Sequence, residues 1–157
     1  NERAQNRIAG VRDALADWGV ELPPGRLVER AYEIAEGRDA MRMLMAAPAR
    51  PTAVVCGNDV LAMGALFEAQ AMGLNVPADV SIGGFDDLPL VAHLSPPLTT
   101  MAVPSELMGR KAAEYLLARF AGAAVPDNTE LEVGLIVRET TAPPKAAPLE
   151  RSGRPEL

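Results

Sequence analysis

The stretch that decides the fold spans residues 51–87, PTAVVCGNDVLAMGALFEAQAMGLNVPADVSIGGFDD. It reads as strand, polar turn, apolar helix, Pro-bearing loop, strand and acidic turn. Residues 52–56 (TAVVC) form an apolar run without alternation, the pattern of a strand buried on both faces. Gly57-Asn58-Asp59 ends that run and supplies side-chain oxygens where a helix must begin. The spacing predicts a helix over residues 59–72 that stops at Gly73, because glycine accepts the left-handed backbone at a helix end. Residues 80–85 (VSIGGF) are a second strand, ending on Asp86-Asp87. If the two strands are parallel, Asn58 and Asp86 emerge on one carboxyl edge, where open α/β sheets bind ligands. Two polar residues converging there suggest a small-molecule site.

The totals narrow the function classes. The 157 residues are 48% hydrophobic with a formal net charge of -6, which suits an α/β unit with a real core and argues against a nucleic-acid surface. No apolar run reaches the length of a membrane span. Cys56 and His93 are the single cysteine and the single histidine, so the usual His/Cys zinc set is not available and no cofactor is expected. There is no phosphate-binding Gly-rich motif, no Gly-x-Ser-x-Gly and no Cys-x-x-Cys, so enzyme chemistry has no motif behind it.

Outward from the centre, Ile8, Val11, Leu15 and Trp18 recur at helical spacing and predict an amphipathic helix over residues 1–18, whose apolar face is expected to be left uncovered in this chain. Residues 26–31 are a candidate short strand with Tyr32 at its end, and residues 35–47 a helix with Ala40, Met41, Leu44 and Met45 as its stripe. Residues 88–94 form a helical turn, residues 98–101 a strand, and residues 104–121 a helix with Met108, Ala112, Tyr115, Leu116 and Phe120 toward a core. Residues 131–137 (LEVGLIV) are the last strand, and the Pro-rich residues 142–157 read as a disordered tail. A chain that opens on Asn1 in mid-pattern, before any first strand, is expected to be the back part of a longer α/β protein.

Each candidate site residue has a plain reading beside the functional one. Asn58 is a ligand-contacting amide or simply the helix cap. Asp86 and Asp87 are ligand acceptors, or one of them caps the turn that follows. Asp59 with Asp86 and Asp87 would be the carboxylates of a metal-assisted hydrolase. Arg7 clamps a polar ligand or is a solvated helix arginine; Tyr32 stacks on a ring or covers the sheet end. The helix over 59–72 is apolar nearly all round, so a second subunit or another internal element covers its far side.

Taken together, PTAVVCGNDVLAMGAL, MGLNVPADVSIGGFDD, PPLTTM, PSELMGRKAAEYLL and the closing LIVRETT resemble, in order and spacing, the ligand-binding region of LacI/GalR-type transcriptional regulators. The resemblance covers residues 7–141. It implies an open, mostly parallel α/β sheet of the type I periplasmic-binding-protein kind, with the first part of a two-lobed core missing. Residues 1–101 and 131–141 would belong to the C-terminal lobe, and residues 102–130 to the N-terminal one. The implied function is that of a cytoplasmic regulator, a repressor, whose core binds a sugar or nucleobase-like effector and forms a homodimer. Operator DNA would be contacted by an N-terminal helix-turn-helix outside this chain. A periplasmic sugar-binding protein of a transporter is the alternative, since the fold is shared. Position by position, the family's ligand contacts fall on Arg7, Tyr32, Asn58 and Asp86, and its dimer contacts on Leu61, His93 and Leu94. Two positions depart from the pattern. Gly83 stands where a β-branched residue is usual, which would weaken that strand, and Val103 stands where glutamine is common, which would make the hinge side less polar.

Overall fold

The computed structural model describes residues 2–143; the expected disordered tail lies, beyond Pro143, outside the described residues. The elements run α1 (Glu2–Ala16), α2 (Ile34–Ala46), β1 (Ala53–Val55), α3 (Asp59–Ala71), β2 (Ser81–Asp86), a 3-10 turn (Pro89–His93), β3 (Thr99–Ala102), α4 (Ser105–Phe120) and β4 (Gly134–Ile136). The four strands lie in chain order, with β1, β2 and β3 parallel and β4 antiparallel against β3. This is the open, mostly parallel sheet the sequence implied.

The local chemistry explains the central unit. Asn58 caps α3, its Oδ1 accepting the Leu61 backbone N–H at 2.8 Å. Gly73, at φ 74, ends the helix in left-handed backbone. In β2, Gly84 is obligatory: a Cβ there would lie 2.3 Å from the Asp59 carboxylate and 2.9 Å from Leu98. Gly83 next to it faces open space, so the departure from a β-branched residue costs no contact with its nearest surroundings and relieves no crowding.

The core lies between the sheet and the α2–α3 layer, built from Met41, Leu66, Val80, Ile82, Val91 and Leu98. Helices α2 and α3 touch backbone to backbone. A Cβ on Gly64 would stand 2.2 Å from the Ile34 carbonyl, and one on Gly37 2.4 Å from that of Leu61. Glu68 of α3 joins them further along, accepting from Arg38 Nε at 2.8 Å and Arg42 Nε at 2.7 Å. Helix α2 therefore packs along one side of α3, while Phe67 and Met72 at its far end stay 38% and 40% exposed.

Several expectations are corrected. Residues 26–31 are not a strand; Arg30 turns instead to Glu36 and Asp39 of α2, and no described strand flanks β1 on that side. β1 is covered on one face only, Val54 inward and Val55 68% exposed, because α3 packs on a single side of the sheet. Neither α1 nor α4 has a buried residue: the α4 stripe expected to face a core is largely open, with Tyr115 half-buried and Phe120 85% exposed, and on α1 Ile8, Val11 and Leu15 are only half-buried.

The LIVRETT segment knits the end of the chain to the sheet. Thr140 is fully buried, donating to the Ile82 carbonyl at 2.7 Å and accepting the Thr99 N–H at 2.8 Å. The Ile82 N–H donates to the Thr140 carbonyl at 2.8 Å, and the Thr141 hydroxyl meets that of Thr99 at 3.0 Å.

Candidate functional site

The parallel register brings the ends of β1 and β2 to one edge, with Val55 opposite Gly83 and β2 running on to Asp86. Helix α1 reaches this edge through Arg7. Its Nη1 donates to the Gly57 carbonyl at 2.8 Å, and its guanidinium lies 3.8 Å from the centre of the Phe85 ring. Arg7, Gly57-Asn58, Phe85 and Asp86 thus gather in one place, from an α1 residue, the β1–α3 turn and the end of β2.

Asp86 is held in an unusual backbone. Its φ is 122° and that of Asp87 is 54°, the two non-glycine residues with positive φ among those described. Such conformations cost on the order of 1–3 kcal/mol each and persist only where surrounding contacts enforce them. Burial raises the Asp86 carboxyl above its ordinary value of 3.8; the charge of Arg7 pulls it back and that of Asp59 adds to the rise. The edge therefore offers one guanidinium, one carboxyl and one aromatic ring, the groups that fix a neutral polar molecule by hydrogen bonds and cover its apolar side.

Asn58 is 2% exposed, its oxygen is spent on the cap, and its Nδ2 is buried without a partner among the described residues. The amide offers only that N–H pair to a ligand. Tyr32 stands 56% exposed just before α2, and none of the contacts that join Arg7, Gly57 and Phe85 involves it. Leu61 lies in the first turn of α3 against Gly37, half-buried. His93 is exposed at the end of the 3-10 turn, and Leu94 packs against the core.

The acidic residues divide their roles. Asp59, fully buried, accepts from the Thr100 hydroxyl at 2.6 Å and the Leu88 N–H at 2.8 Å, joining α3 to β3 and to the turn after β2. Asp87 does not cap the 3-10 turn; its Oδ1 accepts from Arg138 Nη2 at 2.7 Å. No three His, Cys, Asp or Glu side chains gather as a metal site among the described residues. Cys56 is pushed up to about 12 by burial and then by Asp59, so its thiol stays protonated at neutral pH and is no nucleophile. A separate concavity of about 500 Å³, lined in part by Arg50, Thr52, Leu74 and Ser81, opens at the opposite, amino edge of the strands and shares none of these groups. Phe85 and Arg138 were not singled out from sequence. An aromatic residue just before the strand-end acid was the available signal for the first; the second had none but the LIVRETT motif.

Against known proteins, residues 1–141 match the family model described as periplasmic binding protein-like domain. The chain belongs to that family, and within it to the effector-binding regions of LacI/GalR-type regulators. Among its relatives, the HTH-type transcriptional repressor PurR of Escherichia coli is 37% identical over 137 residues, 87% of this chain and 40% of the repressor. The transcriptional regulator CelR, solved as a cellobiose complex, is 36% identical with a TM-score of 0.80, covering 85% of this chain and 41% of that one. A LacI family regulator from Mycobacterium smegmatis is 35% identical with a TM-score of 0.81, over 90% of this chain and 53% of the other. The chain thus spans about 40% of the length of the curated relatives it matches. Among the described residues, no helix is long and apolar enough to cross a membrane.

Proposed function

We propose that this chain is the effector-binding and dimerising part of a LacI/GalR-type transcriptional regulator, a cytoplasmic repressor that senses a sugar or nucleobase-like metabolite. The observation that supports it best is the meeting of Arg7, Phe85 and Asp86 at the carboxyl edge, beside the cap of α3. In this reading Arg7 and Asp86 fix polar groups of the effector, Asn58 adds its spare N–H pair, and Tyr32 swings against a ring face. Residues 102–130 belong to the N-terminal lobe, and closure of the two lobes on the effector shifts the population between DNA-competent and DNA-incompetent homodimers. Leu61, His93 and Leu94 lie at the dimer contact, and operator DNA is bound through a helix-turn-helix outside this chain.

The test is DNA affinity. Genomic fragments retained by the intact regulator are measured by fluorescence anisotropy with and without monosaccharides, cellobiose and purine bases. A coupling of roughly 5–150-fold is expected for one compound class. Fragment affinity that no compound changes, although one of them binds, would sink the repressor reading.

A further inference from the structure

Arg138 occupies a junction that the proposed effector contacts do not include. It follows β4 by two residues, and its side chain reaches back to the turn after β2. Nη2 donates to Asp87 Oδ1 at 2.7 Å, Nη1 donates to the Leu98 carbonyl at 2.8 Å, and its own N–H donates to Thr99 Oγ1 at 2.9 Å. The Arg138 and Asp87 side chains are 18% and 26% exposed, so the pair is largely shielded from water. Asp87 is the second of the two left-handed residues, and the next backbone N–H, of Leu88, is held by Asp59 at 2.8 Å.

A turn of two consecutive non-glycine residues at positive φ reverts to extended or right-handed backbone unless something fixes it. Before the turn, Asp86 is paired with Ala102 of β3; after it, the fixing contacts are Arg138 on Asp87 and Asp59 on Leu88. We infer that Arg138 is a positioning residue: through Asp87 and Leu98 it locks the turn so that the Asp86 carboxyl stands beside Arg7 at the sheet edge. Its bearing on recognition rests on the effector reading above. The lock also ties the strand returning from α4 to the one residue pair that carries the edge acid. A guanidinium suits the task because its planar fork serves two acceptors at fixed geometry, which a lysine ammonium does not.

The test needs no effector. In the intact protein, Arg138→Met, Arg138→Lys and Asp87→Asn are compared by backbone three-bond couplings at Asp86 and Asp87 and by amide exchange. For Arg138→Met, both couplings shift away from their parental values, and the Leu88 amide exchanges at least ten-fold faster while Cys56 in the strand edge and Leu66 in α3 keep their rates. Arg138→Lys recovers part of the protection. Asp87→Asn loosens Leu88 in the same direction and adds nothing to Arg138→Met, as two halves of one contact require. Unchanged couplings, or a Leu88 rate that rises only in step with Cys56 and Leu66, would mean that Arg138 is a general staple and overturn the inference. If Arg138→Met does not fold, the other two variants carry the same comparison. A failed effector screen removes the role of Asp86 and leaves this result standing.

Discussion

Asp86 sits where its own ionisation is unfavourable, since burial raises its carboxyl and Arg7 only partly opposes the rise. A raised carboxyl contributes stability that is fully present below the ordinary value of 3.8 and is lost as pH climbs through its raised value. Asp86→Asn is therefore expected to unfold at a higher temperature than the parent at pH 7, with the gap closing as pH falls below 3.8. Thermal unfolding across pH 3–7 checks it, about four points sufficing; a gap that ignores pH would contradict it. Gly84 is a second residue-scale test. Gly84→Ala drives a Cβ into Asp59 and Leu98 and is expected to cost about 1–3 kcal/mol, whereas Gly83→Ala, facing open space, is expected to be close to neutral in denaturant unfolding.

At the scale of elements, α2 and α3 form the layer that makes the core. Gly64→Ala gains about 1 kcal/mol of helix propensity but must push Ile34 and Arg38 away, for a net loss of about 1–3 kcal/mol. The bonds from Arg38, then Arg42, hold the Glu68 carboxyl below its ordinary 4.5. Its stabilisation is present above 4.5 and lost as pH falls through the lowered value, so Glu68→Gln should flatten the acid limb of the stability curve. An unaltered limb in urea titrations would show that the clamp carries no weight. These elements were readable in advance because helices announce themselves: the period of Met41 and Met45, the cap at Asn58 and the stop at Gly73 are local. Residues 26–31 (RLVERA) are not a strand because so short a segment becomes one only when another strand lies beside it, which no local pattern reports. For the same reason the all-round apolarity of α3 does not name its neighbours: α2 takes one side, and Phe67 and Met72 stay partly exposed. Asn58 and Asp86 were legible from their places at the ends of parallel strands. The Arg138–Asp87 pair was not, since 51 residues separate its members.

Over the whole molecule, α4 and β4 leave Leu116, Leu117, Phe120, Leu135 and Val137 between 59% and 85% exposed. Exposed apolar side chains in this number favour association over solvation. The 157-residue chain by itself is expected to self-associate, with sedimentation velocity showing species larger than a monomer; a stable monomer with a cooperative thermal transition would contradict this.

The most direct measurement of the proposed effector site is a thermal-shift screen of the intact protein against sugars and purine bases, run in parallel with Asp86→Ala. A compound at about 100 times its Kd stabilises the folded state by about 2.7 kcal/mol, a shift readily seen. The expected result is at least one compound class that stabilises the parent and leaves Asp86→Ala unmoved. A compound that stabilises both proteins equally would place the effector elsewhere and contradict the assignment of this edge.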